Sequence, residues 1–481
     1  MSLPGHRAPA FLFVILLAST AFALAALVPW HPDPRVRRAA AIVLVALIFW
    51  ISEIVPLGIT GLLIPVWATL AGVLTWSEAL SAWGDQILFL FLGAFLLARA
   101  LEKHGVFEGL LQAAWATRFR RGSGVALAIL VMLVAGAVSM IQSNTAVAAM
   151  LLPVVLGLAR AARNPPLVVL ALSYGATFGG MATPVGTPPN LIGYAAMKQC
   201  GEMVSFLTWL RVGLPIWLGT SMLAGAVLLL AGKIAPRGNR APAPEAVGTP
   251  VLARPPDPAP AVKRRRARDW ALAAFACTVV IWLGSGAVVS AAGPSHPAAA
   301  WMQRYWPESL APIFTAGLLF LVRAGPGRVA VLERRDFQTL DWDTLFLIAG
   351  GLCLGKMLQN SGAAAALAGA MGGAQVSHTA AMLGLGAVTV LLSELTSNTA
   401  TAALMVPIAS SLAPAVGLPP AKAIWLVALC ASLGFALPVS TPPNAIVYGT
   451  GLVPLRTMIA LGIVVDVLAL LWVIQCVRWF G

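Results

Sequence analysis

The chain has 481 residues, 59% of them hydrophobic and only 10% charged, with a formal net charge of +14. No soluble fold of this length hides so much apolar surface, and windows of about 18 or more apolar residues recur, as membrane-spanning helices require. The excess of Lys and Arg does not describe a nucleic-acid partner. Much of it lies in loops beside hydrophobic segments, and no aromatic–basic module accompanies it. Five histidines and five cysteines are scattered without CxxC, HExxH or any other ligand spacing, and no GxSxG or P-loop occurs, so an enzyme is not expected.

In chain order, the first apolar stretch, residues 10–28, follows a few basic residues as a signal peptide would. It is nearly long enough to span and further spans follow, which predicts a retained first helix. Arg35, Arg37 and Arg38 come next and oppose the usual cytoplasmic bias of positive charge if the N-terminus is inside. Glu53 precedes Pro56 where two helices should meet, which suggests a structural role. Residues 88–105 read LFLFLGAFLLARALEKHG; Lys103 near the end of this block and Arg118, Arg120 and Arg121 beyond it are the marks of a cytoplasmic turn.

Residues 142–153, QSNTAVAAMLLP, then place three polar residues inside an apolar run. Each flanking arm has about 15 residues, which at about 1.5 Å per residue is too short to cross. The expectation is a helical hairpin that enters the membrane and returns, residues 123–162, with Ser143, Asn144 and Thr145 at its tip. Bare backbone at that depth is tolerated only where it faces protein or a watery cavity. Residues 182–194, ATPVGTPPNLIGY, remove two consecutive N–H donors and force the preceding residues out of helix. A broken helix over 167–198 is predicted.

Residues 234–268 are rich in Pro and Ala and end in KRRRAR, which reads as a flexible cytoplasmic connector on anionic headgroups. Beyond it the pattern returns. TSNTATAALMVP (396–407) and ALPVSTPPNAIVY (436–448) follow the first copies at a constant offset of 254, as do Ser393 after Ser139 and Pro407 after Pro153. An earlier block, LFLIAGGLCLGKMLQNSG from Leu345, repeats the one at Leu88. The chain is thus a duplication: residues 1–38 an N-terminal helix and loop, 39–233 the first repeat, 234–268 the linker, and 269–481 the second repeat. The second hairpin is expected at 379–416 and the second broken helix at 420–450. The turn at 361–378 has no Lys or Arg, which predicts an external position and hence inverted repeats. The reading is an all-α polytopic membrane protein of about 11 transmembrane helices plus two re-entrant hairpins.

Helix N-termini at the tips suit an anion and unwound carbonyls suit a dehydrated cation, so tip and break together suggest a binding site. One SNT alone would more often be a packing device. Two copies, each followed by TPPN, favour a site.

The paired SNTA and GTPPN motifs, with FWISEIVPLGITGLLIPV (49–66) and SELTSNTATAALMVP (393–407), resemble the divalent anion:sodium symporter family, from about residue 43 to the end excluding the linker. The resemblance implies two sodium sites. One would use Ser139, Ser143, Asn144 and Gly186, the other Ser393, Ser397, Asn398 and Ser440. The anion would touch Asn144, Thr145, Thr187, Pro188, Asn398, Thr399, Thr441 and Pro442. It also implies a homodimer in the cell (inner or plasma) membrane, an elevator-like movement and at least two sodium ions per cycle. Neither tip carries Lys, Arg or His, so sodium symport of a C4-dicarboxylate is favoured over a sodium-independent exchanger. Citrate or sulfate fits the same chemistry. An anion channel, or a proton-coupled relative using Glu394 or Asp466, are the other readings. Arg99 and Lys356, at equivalent span ends, are expected to snorkel.

Overall fold

The computed structural model describes residues 7–106, 124–162, 164–202, 204–234, 261–292, 296–324, 329–363, 365–366, 369 and 377–481. Most of the linker and the basic turn at 118–121 therefore lie outside the described residues. The structure is a bundle of helices. Among the described residues the one exception is a two-residue antiparallel ribbon that pairs Arg323–Ala324 with Val329–Ala330. Six described helices are long and apolar enough to cross a membrane, from Trp76–Lys103 to Leu455–Phe480, and seven shorter apolar helices of 10–17 residues accompany them.

The helix Arg7–Leu27 packs along Pro34–Ser52, with Ala18 and Phe49 buried between them. The basic residues that fitted poorly after it have a local purpose. Arg37 Nη1 donates to the Leu27 carbonyl at 3.3 Å and Arg38 Nη1 to the Ala71 carbonyl at 3.0 Å. Each satisfies an orphan carbonyl at a helix C-terminus, where a cation also complements the dipole. Glu53 adopts φ 47° as the C-cap of Pro34–Ser52, so its role is in the backbone turn before Pro56.

Helix Leu57–Leu70 of the first half and helix Trp342–Asn360 of the second lie backbone against backbone. A Cβ on Gly61 would stand 2.3 Å from the Phe346 carbonyl oxygen, and one on Gly350 2.4 Å from Gly61 Cα. Small residues let membrane helices approach this closely, and dispersion replaces the hydrophobic drive that lipid cannot supply. The Gly58 N–H also donates to Asp343 Oδ1 at 2.9 Å, fixing the register.

Both SNTA regions form helical hairpins. The first joins Gly124–Ser139 to Asn144–Ala161, and the second joins His378–Leu395 to Asn398–Leu412. Each is followed by an interrupted helix. Pro165–Met181 stops and restarts at Pro188–Gln199, and Pro420–Cys430 stops and restarts at Pro442–Tyr448.

Candidate functional site

Ser143 and Ser397 are the N-caps of the returning hairpin arms. Their hydroxyls accept from the Ala146 and Ala400 N–H groups, each at 3.2 Å. A capped helix still leaves its first N–H groups without intrahelical acceptors, so Asn144 and Thr145 at one tip, and Asn398 and Thr399 at the other, present donors outward. Just behind each tip a buried serine orients the asparagine. Ser139 Oγ donates to Asn144 Oδ1 at 2.7 Å, and Ser393 Oγ to Asn398 Oδ1 at 2.8 Å. The same bond, at the same offset, is built twice. It turns both asparagine amides in a defined direction and buries Ser139 and Ser393 completely.

The interrupted helices contribute differently from the hairpin tips. Pro188 and Pro189, like Pro442 and Pro443, occupy the first positions of the restarting pieces and have no N–H to offer. The first turns of the restarts therefore carry fewer N–H donors than those of the hairpin arms. Thr187 and Thr441 are buried N-caps, and Thr441 Oγ1 accepts from the Asn444 N–H at 3.2 Å. Gly186 and Ser440 are buried, whereas Pro188 is half-buried and Pro442 exposed.

Two residues went without a role in the sequence reading although both stand in TPPN. Asn190 Nδ2 donates to the Gly180 carbonyl at 2.9 Å and the Thr183 carbonyl at 2.7 Å. Asn444 Nδ2 donates to Gly434 at 2.9 Å and Leu437 at 3.0 Å. Each fully buried amide ties both sides of an unwound segment together and replaces helical bonds that the prolines removed. Their position three residues after the threonine, in both copies, was the available signal.

The copies also diverge. Glu394 stands where the first half has Met140. Its Oε1 accepts the Ala436 N–H at 2.7 Å, its Oε2 the Leu437 N–H at 3.1 Å, and Ser440 Oγ donates to it as well. Asp466 Oδ2 accepts the Phe435 N–H at 3.2 Å. Both carboxyl groups are thus spent on the second break. In the first half the Met140 carbonyl instead accepts from Thr183 Oγ1 at 2.5 Å.

The half-sites interlock. The restarted helix Pro442–Tyr448 packs on the first hairpin arm Asn144–Ala161, and Pro188–Gln199 packs on the second arm Asn398–Leu412. Ser143, Thr145, Gly186 and Pro188 line a cavity of about 490 Å³ together with Arg99, Glu102 and Asp341. Lys356, at the equivalent position to Arg99, instead donates to Ser81 Oγ at 2.6 Å.

Interlocked pairs of hairpin and broken helix, set in a bundle of apolar helices, define a membrane transporter. The chain belongs to the citrate transporter family, whose model matches residues 47–430, and it is accordingly a multi-pass cell-membrane transporter and not an enzyme. It is 30% identical over 442 residues to an uncharacterized transporter of Haemophilus influenzae, covering 90% of this chain and 89% of that one. It is 28% identical over 475 residues to the sodium-dependent dicarboxylate transporter SdcS of Staphylococcus aureus, covering 94% and 87%. The crystal structure of the Alcanivorax borkumensis YdaH transporter aligns over 99% of this chain and 98% of that one, with a TM-score of 0.46 and 14% identity.

Proposed function

We propose that the protein is a sodium-coupled symporter of a divalent anion, with a C4-dicarboxylate such as succinate, fumarate or malate as cargo. The observation that carries the reading is the duplicated wiring, Ser139 to Asn144 and Ser393 to Asn398, beneath two N-capped helix ends. In each half, the serine pair, the asparagine and a carbonyl of the break are oxygen donors of the type a dehydrated alkali cation takes. These are Ser139, Ser143, Asn144 and Gly186 in one half, and Ser393, Ser397, Asn398 and Ser440 in the other. The anion lies between the tips, touched by Asn144, Thr145, Thr187, Asn398, Thr399 and Thr441. Similarity to a sodium-dependent dicarboxylate transporter supports the same cargo.

Charge balance favours symport over exchange. Among the described residues lining the cavity, Arg99 is opposed by Glu102 and Asp341, one formal charge short of neutral. A dianion entering such a space needs company, and at least two sodium ions, one per half-site, provide it. A homodimer working by rigid-body displacement of the paired hairpins belongs to the same proposal.

Radiolabelled succinate uptake into proteoliposomes tests it, with an inward sodium gradient set against potassium or choline. Uptake that requires sodium is the expected result, and either Asn144→Ala or Asn398→Ala should raise the sodium needed for half-maximal rate. Sodium-independent uptake that requires preloaded anion would make the protein an exchanger. Normal transport by both variants at limiting sodium would overturn the site.

A further inference from the structure

An arginine near the end of a span ordinarily stretches toward headgroups. Arg99 does not. It lies in the wall of the cavity that holds Ser143, Thr145 and Gly186, and it is the one cationic side chain among the described residues lining that space. Two acidic neighbours hold it, both loosely. Its Nη1 is 3.3 Å from Glu102 Oε2, one helical turn away on a side chain 48% exposed. Such a partly exposed surface pair contributes little. Its Nε is 3.4 Å from Asp336 Oδ1, an ionic contact without a hydrogen bond.

The buried Asp336 is already engaged. Lys103 Nζ donates to its Oδ2 at 2.6 Å, and the Glu333 N–H donates to the same oxygen at 2.8 Å. Burial alone would push the Asp336 carboxyl up, but these two donors, with Arg99, hold it below the ordinary carboxylate range. Lys103 is therefore committed to Asp336, while the guanidinium of Arg99 remains available to a better acceptor. A planar carboxylate matches its fork in a way that the monodentate Glu102 contact does not.

We propose that Arg99 is a specificity-determining residue that exchanges Glu102 for the distal carboxylate of the cargo while the proximal carboxylate stays between the two hairpin tips, on the Asn144–Thr145 side. The inference rests on the anion site proposed above and adds its second anchor. One anchor at the tip accepts any small anion, whereas tip and arginine together select a cargo with charge at both ends. Glu102 then acts as the competitor that keeps the arginine placed while the cavity is empty.

The test is succinate uptake kinetics in proteoliposomes at saturating sodium for the wild-type protein, Arg99→Gln, Arg99→Lys and Glu102→Gln. The expected result is a KM about tenfold higher for Arg99→Gln, the loss of one charge-assisted contact, with the maximal rate and the sodium half-saturation within about twofold. Arg99→Lys should recover part of the affinity, and Glu102→Gln should lower KM by removing the competitor. A wild-type KM in Arg99→Gln overturns the proposal, as does a fall in maximal rate shared by all three variants with KM unchanged. If Arg99→Gln does not fold, Glu102→Gln decides: a lower KM supports the role and an unchanged one refutes it. Should the wild-type protein carry citrate or sulfate instead of succinate, the cargo reading falls separately, and the same KM series with that anion judges Arg99.

Discussion

The smallest parts of the site are single amides that do what a helix would otherwise do. Asn444 donates to two carbonyls across its break and accepts from Ser173 Oγ of the other half. Asn444→Ala leaves three buried groups unpaired and should cost about 2–4 kcal/mol, seen as a lower thermal unfolding temperature in detergent. Asn190 lacks the third bond, because Val427 of the second half stands where Ser173 stands in the first. Its alanine variant should therefore cost less. A motif names such residues without saying which way their amides turn, which is why TPPN was legible as a break and its asparagines were not legible as clamps. His104, at the end of Gln86–Lys103, offers a different test. Burial lowers its pKa below the ordinary 6.5, only partly offset by its contact with the Val331 carbonyl at 2.9 Å. A lowered folded-state value means that its contribution is full above pH 6.5 and is lost as pH falls through that range. The stability gap between wild type and His104→Gln should accordingly narrow between pH 7.5 and 5.5 in thermal melts.

At the scale of elements the copies share a plan but not a tightness. The first hairpin arm lies directly on its broken helix: a Cβ on Gly179 would stand 2.0 Å from the Gly136 carbonyl oxygen. The second half has Val390 and Leu433 at the corresponding positions, so its elements are held apart by side chains. Gly179→Ala has no room without moving a backbone, and it should fail to accumulate as monodisperse protein on size exclusion. Gly157→Ala, with nothing within 4 Å of the new methyl, should be neutral or gain up to about 1 kcal/mol from helix propensity. The duplication itself was readable because one offset governs serine, proline and threonine alike. What the offset could not tell was where symmetry had been spent. Glu394 replaces Met140, and its carboxylate binds the backbone of the second break.

For the molecule as a whole, the half-sites face different surroundings. Val185 lies in the cavity wall, while its equivalent Val439 is 77% exposed. With the exposed Cys200 and Cys277 replaced, Val439→Cys should react with a hydrophilic maleimide several-fold faster than Val185→Cys, and sodium with succinate should slow both. Equal rates without ligand protection would contradict the arrangement. The membrane class, the hairpins and the breaks were all legible from hydropathy and proline placement. The contacts that join the halves were not, because they depend on which helix faces which: Gly61 on Gly350, or Glu308, which accepts from the Phe206 N–H and pairs with Lys198 at 3.5 Å. Such pairings are long in sequence and leave no periodic trace.

The paired prolines at the two restarts carry a consequence for fidelity. With no N–H at those positions, the prolines of each restart offer an arriving anion no donor while the unwound carbonyls beside them supply oxygen, so on the sodium-coupled reading a site without its cations holds its cargo poorly. Binding acquires an order in time, cation before anion. A slip in which the cargo crosses alone and wastes the gradient is discouraged by the backbone itself, independently of any gate.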